Sequence, residues 1–190
     1  DIARVSCPHL SDTRGPGVPD ALVADPRNDD HLILSQLTAL FHELHNIVYG
    51  KLTARHGPIA PHLADFRIYR TVLEARKVTA VAWRRIVEND LLRRLIDPHV
   101  FEAYAGAGPG GASFLDRSDD GRVPLEFSHA AFRCGHTMIR FSYLLNGLRS
   151  NGPALETAGI NEIIERSSSR QASRLPVARD WLVDWARFFD

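Results

Sequence analysis

Apolar residues recur at three- and four-residue intervals over most of the chain, a spacing that gives a helix one buried face. Leu32, Ile33, Leu37, Leu40, Phe41, Leu44 and Ile47, with Gln36 among them, form one wide stripe that predicts a long helix. Gly50 or Gly57 ends or follows it. The run before it, Asp25-Pro26-Arg27-Asn28-Asp29-Asp30, is turn and N-cap chemistry. Its acidic and amide side chains stand ready to accept from the first helical N–H groups. After a Pro-containing loop a second stripe runs through Phe66, Tyr69, Val72, Leu73, Val78, Val81, Ala82, Ile86, Leu91, Leu92 and Leu95. It predicts a helix from about Ala64 to Ile96, with Pro98 ending it or starting a further turn through Tyr104. A third apolar helical run, VPLEFSHAAFRCGHTMIRFSYLLN, covers Val123 to Asn146 and carries Gly135-His136 in its middle.

The polar stretches divide the chain. Residues 1–20 hold three prolines, two glycines and no periodic pattern, and read as an extended arm. Residues 105–111 (AGAGPGG) read as a linker and 116–122 (DRSDDGR) as a polar turn. No strand precedes the first of these and Pro interrupts it, so its GxG is no dinucleotide fingerprint. Residues 147–174 hold a weak apolar centre at Ile160, Ile163 and Ile164 before the polar run SSSRQAS. Trp181, Trp185, Phe188 and Phe189 then repeat at helical spacing, as in a short docking helix. No alternating strand pattern appears. The expected class is all-α, as one domain over 1–190: an arm (1–20), a helical core (21–146), and a loop with a short aromatic C-terminal helix (147–190).

Composition narrows the function. The chain has 190 residues, 44% hydrophobic and 24% charged, with formal net charge +0. That size suits a single core, and the balanced charge offers no field to recruit nucleic acid. No apolar run approaches the roughly 20 residues of a membrane span. The start, DIARVSCPHL, has no signal-peptide h-region, and the compartment, cytoplasmic or secreted, stays open. Cys7 and Cys134 are too few for a disulfide framework and sit in no CxxC or CxxCH. Cys134 reads as a core thiol.

Four constellations carry chemistry. His136 lies on one helix face with Phe132, Arg133, Ile139 and Arg140. It is either a buried, hydrogen-bonded histidine or the axial ligand of a haem, since Gly135 would let a flat macrocycle approach the backbone. Arg133 or Arg140 would then reach a propionate or orient the imidazole. Arg27, before a helix and held by Pro26 on one side and capping residues on the other, is either an exposed partner of Asp29 or Asp30 or a guanidinium held over a pocket. His42 and His45 lie three apart around Glu43, which is not HExxH. Glu126 and His129 give one ExxH, of which a di-metal bundle needs two.

The stretch ADPRNDDHLILSQLTALFHELHN resembles the distal-side segment of animal-type haem peroxidases, the peroxidase–cyclooxygenase superfamily, and in particular bacterial members. There a D-x-R opens a long helix carrying an HN pair. EARKVTAVAWRRIVENDLLRRLI resembles the next helix of that family, and FRCGHTMI its proximal-helix motif. WLVDWARFF is similar to a segment after the proximal helix. The motifs come in family order and cover about Ala21 to Asn146.

The resemblance implies haem b, with His136 as proximal iron ligand and Arg27 as distal catalytic arginine. Arg133 matches the arginine of the proximal hydrogen-bond network. Asp30 stands where mammalian members carry a Glu that can form an ester to the haem, and is one methylene shorter. His31 replaces the Met that makes a further link in one member, so that link is not expected. Two elements are unmatched. Ahead of the segment that carries Arg27 lie only the unpatterned residues 1–20, and His9 lies in no matching motif for the distal His, beside which the family places calcium. Nothing past Asn146 matches the proximal Asn. The expectation is therefore a partial peroxidase domain acting on hydrogen peroxide and an organic or halide reductant. Its expected partners are a missing segment of the same precursor or a second copy of the chain. A fatty-acid dioxygenase of the same superfamily and a non-catalytic all-α remnant stand as alternatives.

Overall fold

A computed structural model describes residues 4–6, 19–21, 24–105, 125–148, 150–151, 154–166 and 177–189. Most of the arm with Cys7 and His9, the Gly-rich linker beyond Ala105, the turn at 116–122 and the Ser-rich run lie outside them. The described residues are mainly helical, and every strand is two or three residues long, so the class is all-α. Segments that short show no period of two in the sequence. β1 (Arg4–Ser6) pairs antiparallel with β2 (Pro19–Ala21), which folds the described ends of the arm together. The chain forms two compact units, one of residues 1–47 with 140–190 and one of 48–139.

In the first unit a 3-10 turn, Pro26–Asp29, leads into α1 (Leu32–Arg55), which runs on into the second unit. Asp25 caps the 3-10 turn, its Oδ1 accepting from the Arg27 N–H at 3.0 Å. The cap of α1 is not one of the acidic or amide side chains. It is His31, whose Nδ1 accepts from the Leu34 N–H at 3.2 Å. The acidic residues are taken up by the preceding turn, which leaves the imidazole at the N-cap position. Thr38 then ties α1 back to the turn by donating to the Asn28 carbonyl at 2.8 Å.

The core of this unit is Leu32, Leu145, Ala158, Ile163, Trp181 and Val183, with Ile33, Tyr143, Val177 and Trp185 packed on its edge. Two amides organise the backbone around it. Gln36 Nε2 donates to the Trp181 carbonyl at 2.9 Å, and its Oε1 accepts from the Val183 N–H at 2.8 Å. Asn146, 5% exposed, donates through Nδ2 to the carbonyls of Asp180 (3.2 Å) and Leu182 (2.5 Å). Its Oδ1 accepts from the Leu148 N–H at 2.8 Å. β3 (Ser142–Tyr143) pairs antiparallel with β6 (Ala158–Gly159), and between them β4 (Ser150–Asn151) pairs with β5 (Ala154–Leu155). α6 (Ile160–Glu165) starts where the Glu162 carboxylate accepts from the Gly159 N–H at 2.9 Å. The Arg166 guanidinium stacks over the Trp181 ring. The C-terminal segment ends in a 3-10 turn, Arg179–Trp181, and α7 (Ala186–Phe189), in place of one aromatic helix.

The second unit holds the end of α1, then α2 (Ala64–Ile86), a π-turn (Val87–Leu91), α3 (Leu92–Leu95) and α4 (Pro98–Ala105). The expected helix from Ala64 to Ile96 is present, broken only by the π-turn, where Asn89 Nδ2 donates to the Arg85 carbonyl at 3.0 Å. Its predicted stripe is largely exposed. Among the described residues of this unit only Thr71 and Ala75 are buried. The run 123–146 is not one helix. α5 (Leu125–His129) is followed by a 3-10 stretch, Ala131–Met138, and then by extended chain. Gly135 costs helix stability, roughly 1 kcal/mol against Ala, and the strand pairing of Ser142 and Tyr143 draws the chain out of helical geometry.

Two outcomes follow. Asn146→Ala strands buried backbone groups and lowers stability by about 2–3 kcal/mol, read from the urea midpoint; an unchanged midpoint would show the clasp to be dispensable. Burial lowers the His31 pKa below 6.5, against the smaller opposing effect of Asp30. The unfolded chain thus binds this proton more readily, and the stability held by neutral His31 is complete above pH 6.5 and lost as pH falls below it. His31→Asn keeps a cap acceptor without titrating, so its stability profile is flatter than that of the parent between about pH 5 and 7.

Candidate functional site

Arg27, Asp30 and Arg140 fall in the first unit, Arg133 and His136 in the second. Arg27 sits in the 3-10 turn, its side chain 82% exposed. Its partner is Asp25, not Asp29 or Asp30: Nε lies 2.9 Å from Oδ1 and Nη2 2.5 Å from Oδ2. The same carboxylate caps the backbone of Arg27, so one residue two positions back fixes both main chain and side chain. This bidentate pair takes the Nε–Nη2 edge of the guanidinium. Hydrogen bonding from Arg27 holds the Asp25 carboxyl well down, at about 2, and the same contact raises the Arg27 pKa. Asp30 closes the turn, its backbone N–H donating to the Arg27 carbonyl at 3.3 Å. Asp29 beside it is buried. The Arg140 N–H donates to the Tyr143 hydroxyl at 3.0 Å, and its side chain is exposed.

His136 lies in the 3-10 stretch, every residue of which is exposed. Among the described residues nothing hydrogen-bonds its imidazole, nor the side chain of Arg133. This excludes the buried, satisfied histidine that the apolar run suggested. Cys134 is likewise an exposed thiol rather than a core one. Around His136, Phe132 (69%), Met138 and Ile139 stand exposed, and Phe127 packs its ring 5.9 Å from that of Phe132. A Cβ added at Gly135 would meet nothing within 4 Å, so the space beside the backbone is open. One imidazole, an open backbone and exposed apolar side chains fit the donor chemistry of a haem face, which asks a single axial ligand and apolar cover. Among the described residues no three His, Cys, Asp or Glu gather as metal ligands, a set that a haem iron does not need.

The remaining sequence candidates are local. His45 Nδ1 lies 3.5 Å from the amide oxygen of its own neighbour Asn46. His129 Nδ1 meets the Ser128 hydroxyl at 2.8 Å. His31 caps α1 although imidazole is not a usual cap, and its place directly before Leu32 is the sequence signal that marks it.

A family model described as animal haem peroxidase matches residues 8–173. The human protein named "Probable oxidoreductase PXDNL" is 30% identical over 132 residues, which is 67% of this chain and 8% of that protein. The chain thus spans a small part of that relative's length. No solved structure matches. Among the described residues no helix is long and apolar enough to cross a membrane.

The Asp25–Arg27 pair makes a direct test of how the arginine is held. In the parent the Asp25 carboxyl titrates near 2, and in Arg27→Gln it returns toward 3.8. A depressed carboxyl loses its partner as pH falls through that interval, so the guanidinium is released below about pH 2 and held above it. Carbon-detected NMR of the side-chain carboxyl reads both values; equal values in the two proteins would show that Arg27 is not held by Asp25.

Proposed function

Because the chain belongs to the animal haem peroxidase family, we propose that it forms part of a haem-dependent peroxidase. The reaction is the reduction of hydrogen peroxide with oxidation of a small organic or halide donor. The observation that carries the reading is the exposed His136 imidazole, beside open space at Gly135 and exposed apolar side chains, within the matched span.

In this proposal His136 is the proximal ligand to the iron of haem b. Phe132, Met138 and Ile139 cover apolar macrocycle, and Arg133 and Arg140 supply cations for the propionates or for the hydrogen bond that orients the imidazole. Bound haem supplies the redox equivalents that the side chains lack. Arg27 serves the peroxide. With its Nε–Nη2 edge held by Asp25, the Nη1 edge is presented as a fixed cation to oxygen as negative charge develops on it. Pre-orientation by Asp25 spares Arg27 the reorganisation that a mobile side chain would need at that moment. Asp30, one methylene short of the ester-forming Glu, offers the haem a carboxylate neighbour rather than a covalent bond.

Haem titration followed in the Soret region tests the ligand. The parent chain gives a shifted Soret band, and His136→Ala loses that shift; no shift in the parent, or the same shift in both, would sink the assignment. For Arg27, the haem-loaded Arg27→Ala protein reacts with peroxide about a hundredfold more slowly, as read by stopped-flow absorbance. An equal rate removes Arg27 from the chemistry.

A further inference from the structure

The second unit carries a recess of about 360 Å³ that none of the residues assigned to haem lines. Its walls are the loop from His56 to Leu63 and the first turns of α2. Ile59, Leu63 and Phe66 give it an apolar floor. Two polar links close the loop onto the helix. Arg67 Nη1 donates to the Gly57 carbonyl, and His56 Nε2 lies 3.2 Å from the Thr71 hydroxyl. Thr71, only 2% exposed, gives its single proton to the Arg67 carbonyl at 2.8 Å. The recess is thus held open by links in its wall rather than formed by a chance gap between side chains.

We propose that this recess binds a small aromatic monocarboxylate. Its volume lies near the lower end of ligand pockets, roughly 300–1,000 Å³, which suits a single ring. The apolar floor, with Phe66 exposed, takes the ring edge-on or stacked. Two guanidiniums, Arg67 and Arg70, face one carboxylate, Glu74, so the rim carries one net positive charge. The Arg70–Glu74 contact is long, 3.5 Å, and exposed on both sides, so a ligand carboxylate can take the place of Glu74 on Arg70. A planar guanidinium fork matches a carboxylate, and the apolar floor disfavours a heavily hydrated dianion. Every lining residue belongs to the second unit, and the inference does not rest on haem being bound.

Calorimetric titration of the full 190-residue, haem-free chain with phenylacetate tests it. Saturable binding is expected, weakened about tenfold when phenylacetamide replaces the acid or when Arg70→Gln removes the cation, since a charge-assisted bond is lost. Glu74→Gln removes the competing carboxylate and tightens binding, an effect that a misfolded variant would not give. Failure to saturate, equal affinity for acid and amide, or unchanged affinity in both variants overturns the proposal. The Soret titration of the parent chain is read separately, so the two readings fail independently.

Discussion

Two side-chain amides hold the first unit where apolar contact alone would fail. Burying Trp181 and Val183 takes the backbone of the C-terminal segment out of water, and each unpaired polar group there costs about 1–3 kcal/mol. Gln36 offers Trp181 a donor and Val183 an acceptor, the pair of groups that a neighbouring strand would offer. Asn146 donates to the carbonyls of Asp180 and Leu182 and accepts from the Leu148 N–H. The Asp184 N–H, bonded to the Leu145 carbonyl at 2.8 Å, extends the ladder by one rung. With those groups satisfied, Leu32, Leu145, Ala158 and Ile163 can close around the two apolar side chains. A segment with little regular structure thereby becomes part of a core.

Helices written in periodic residues were legible; what they bury was less so. α1 and α2 lie where their stripes place them because helical periodicity is local information. Gln36 sits on the predicted face, yet its role depends on groups 145 and 147 positions away, which no local pattern encodes. In α2 the buried residues are Thr71 and Ala75, small side chains that a hydrophobicity pattern ranks low. Thr71 is buried because its hydroxyl is satisfied by the helix and by His56, a link across 15 positions. The short strands escaped notice for a related reason: pairings such as Ser142 with Gly159 are made by backbone, with side chains of no β character.

The candidate site divides along the same line. The Arg27 turn was legible as a rigid, polar helix entry, and the pairing went to Asp25 rather than Asp29 or Asp30 for a geometric reason. Pro26 and the 3-10 turn place the Asp25 carboxylate over the Arg27 N–H, and from there it also reaches the guanidinium. Asp29 turns inward instead. The resemblance read between Ala21 and Asn146 proved narrower than the match over 8–173, which takes in His9. Motifs built around charged or glycine-flanked ligands are conspicuous one by one, whereas the segments flanking them carry a family signal spread thinly over many positions.

The Arg27 turn and the His136 stretch are also ordered by different means. Arg27 is held by interactions two residues long, so its geometry needs no ligand. The stretch Ala131–Met138 runs eight residues in 3-10 geometry, where runs beyond three or four are uncommon because the hydrogen bonds are poorer and residues three apart eclipse. Arg133 therefore stands in line with His136, and Phe132 and Met138 flank the gap left by Gly135. Nothing described in the chain buries these apolar side chains to choose between this form and an α-helix. A flat apolar ligand that covers them would add the missing term. Under the proposed haem ligation, part of the gross binding energy would go into ordering residues 131–138.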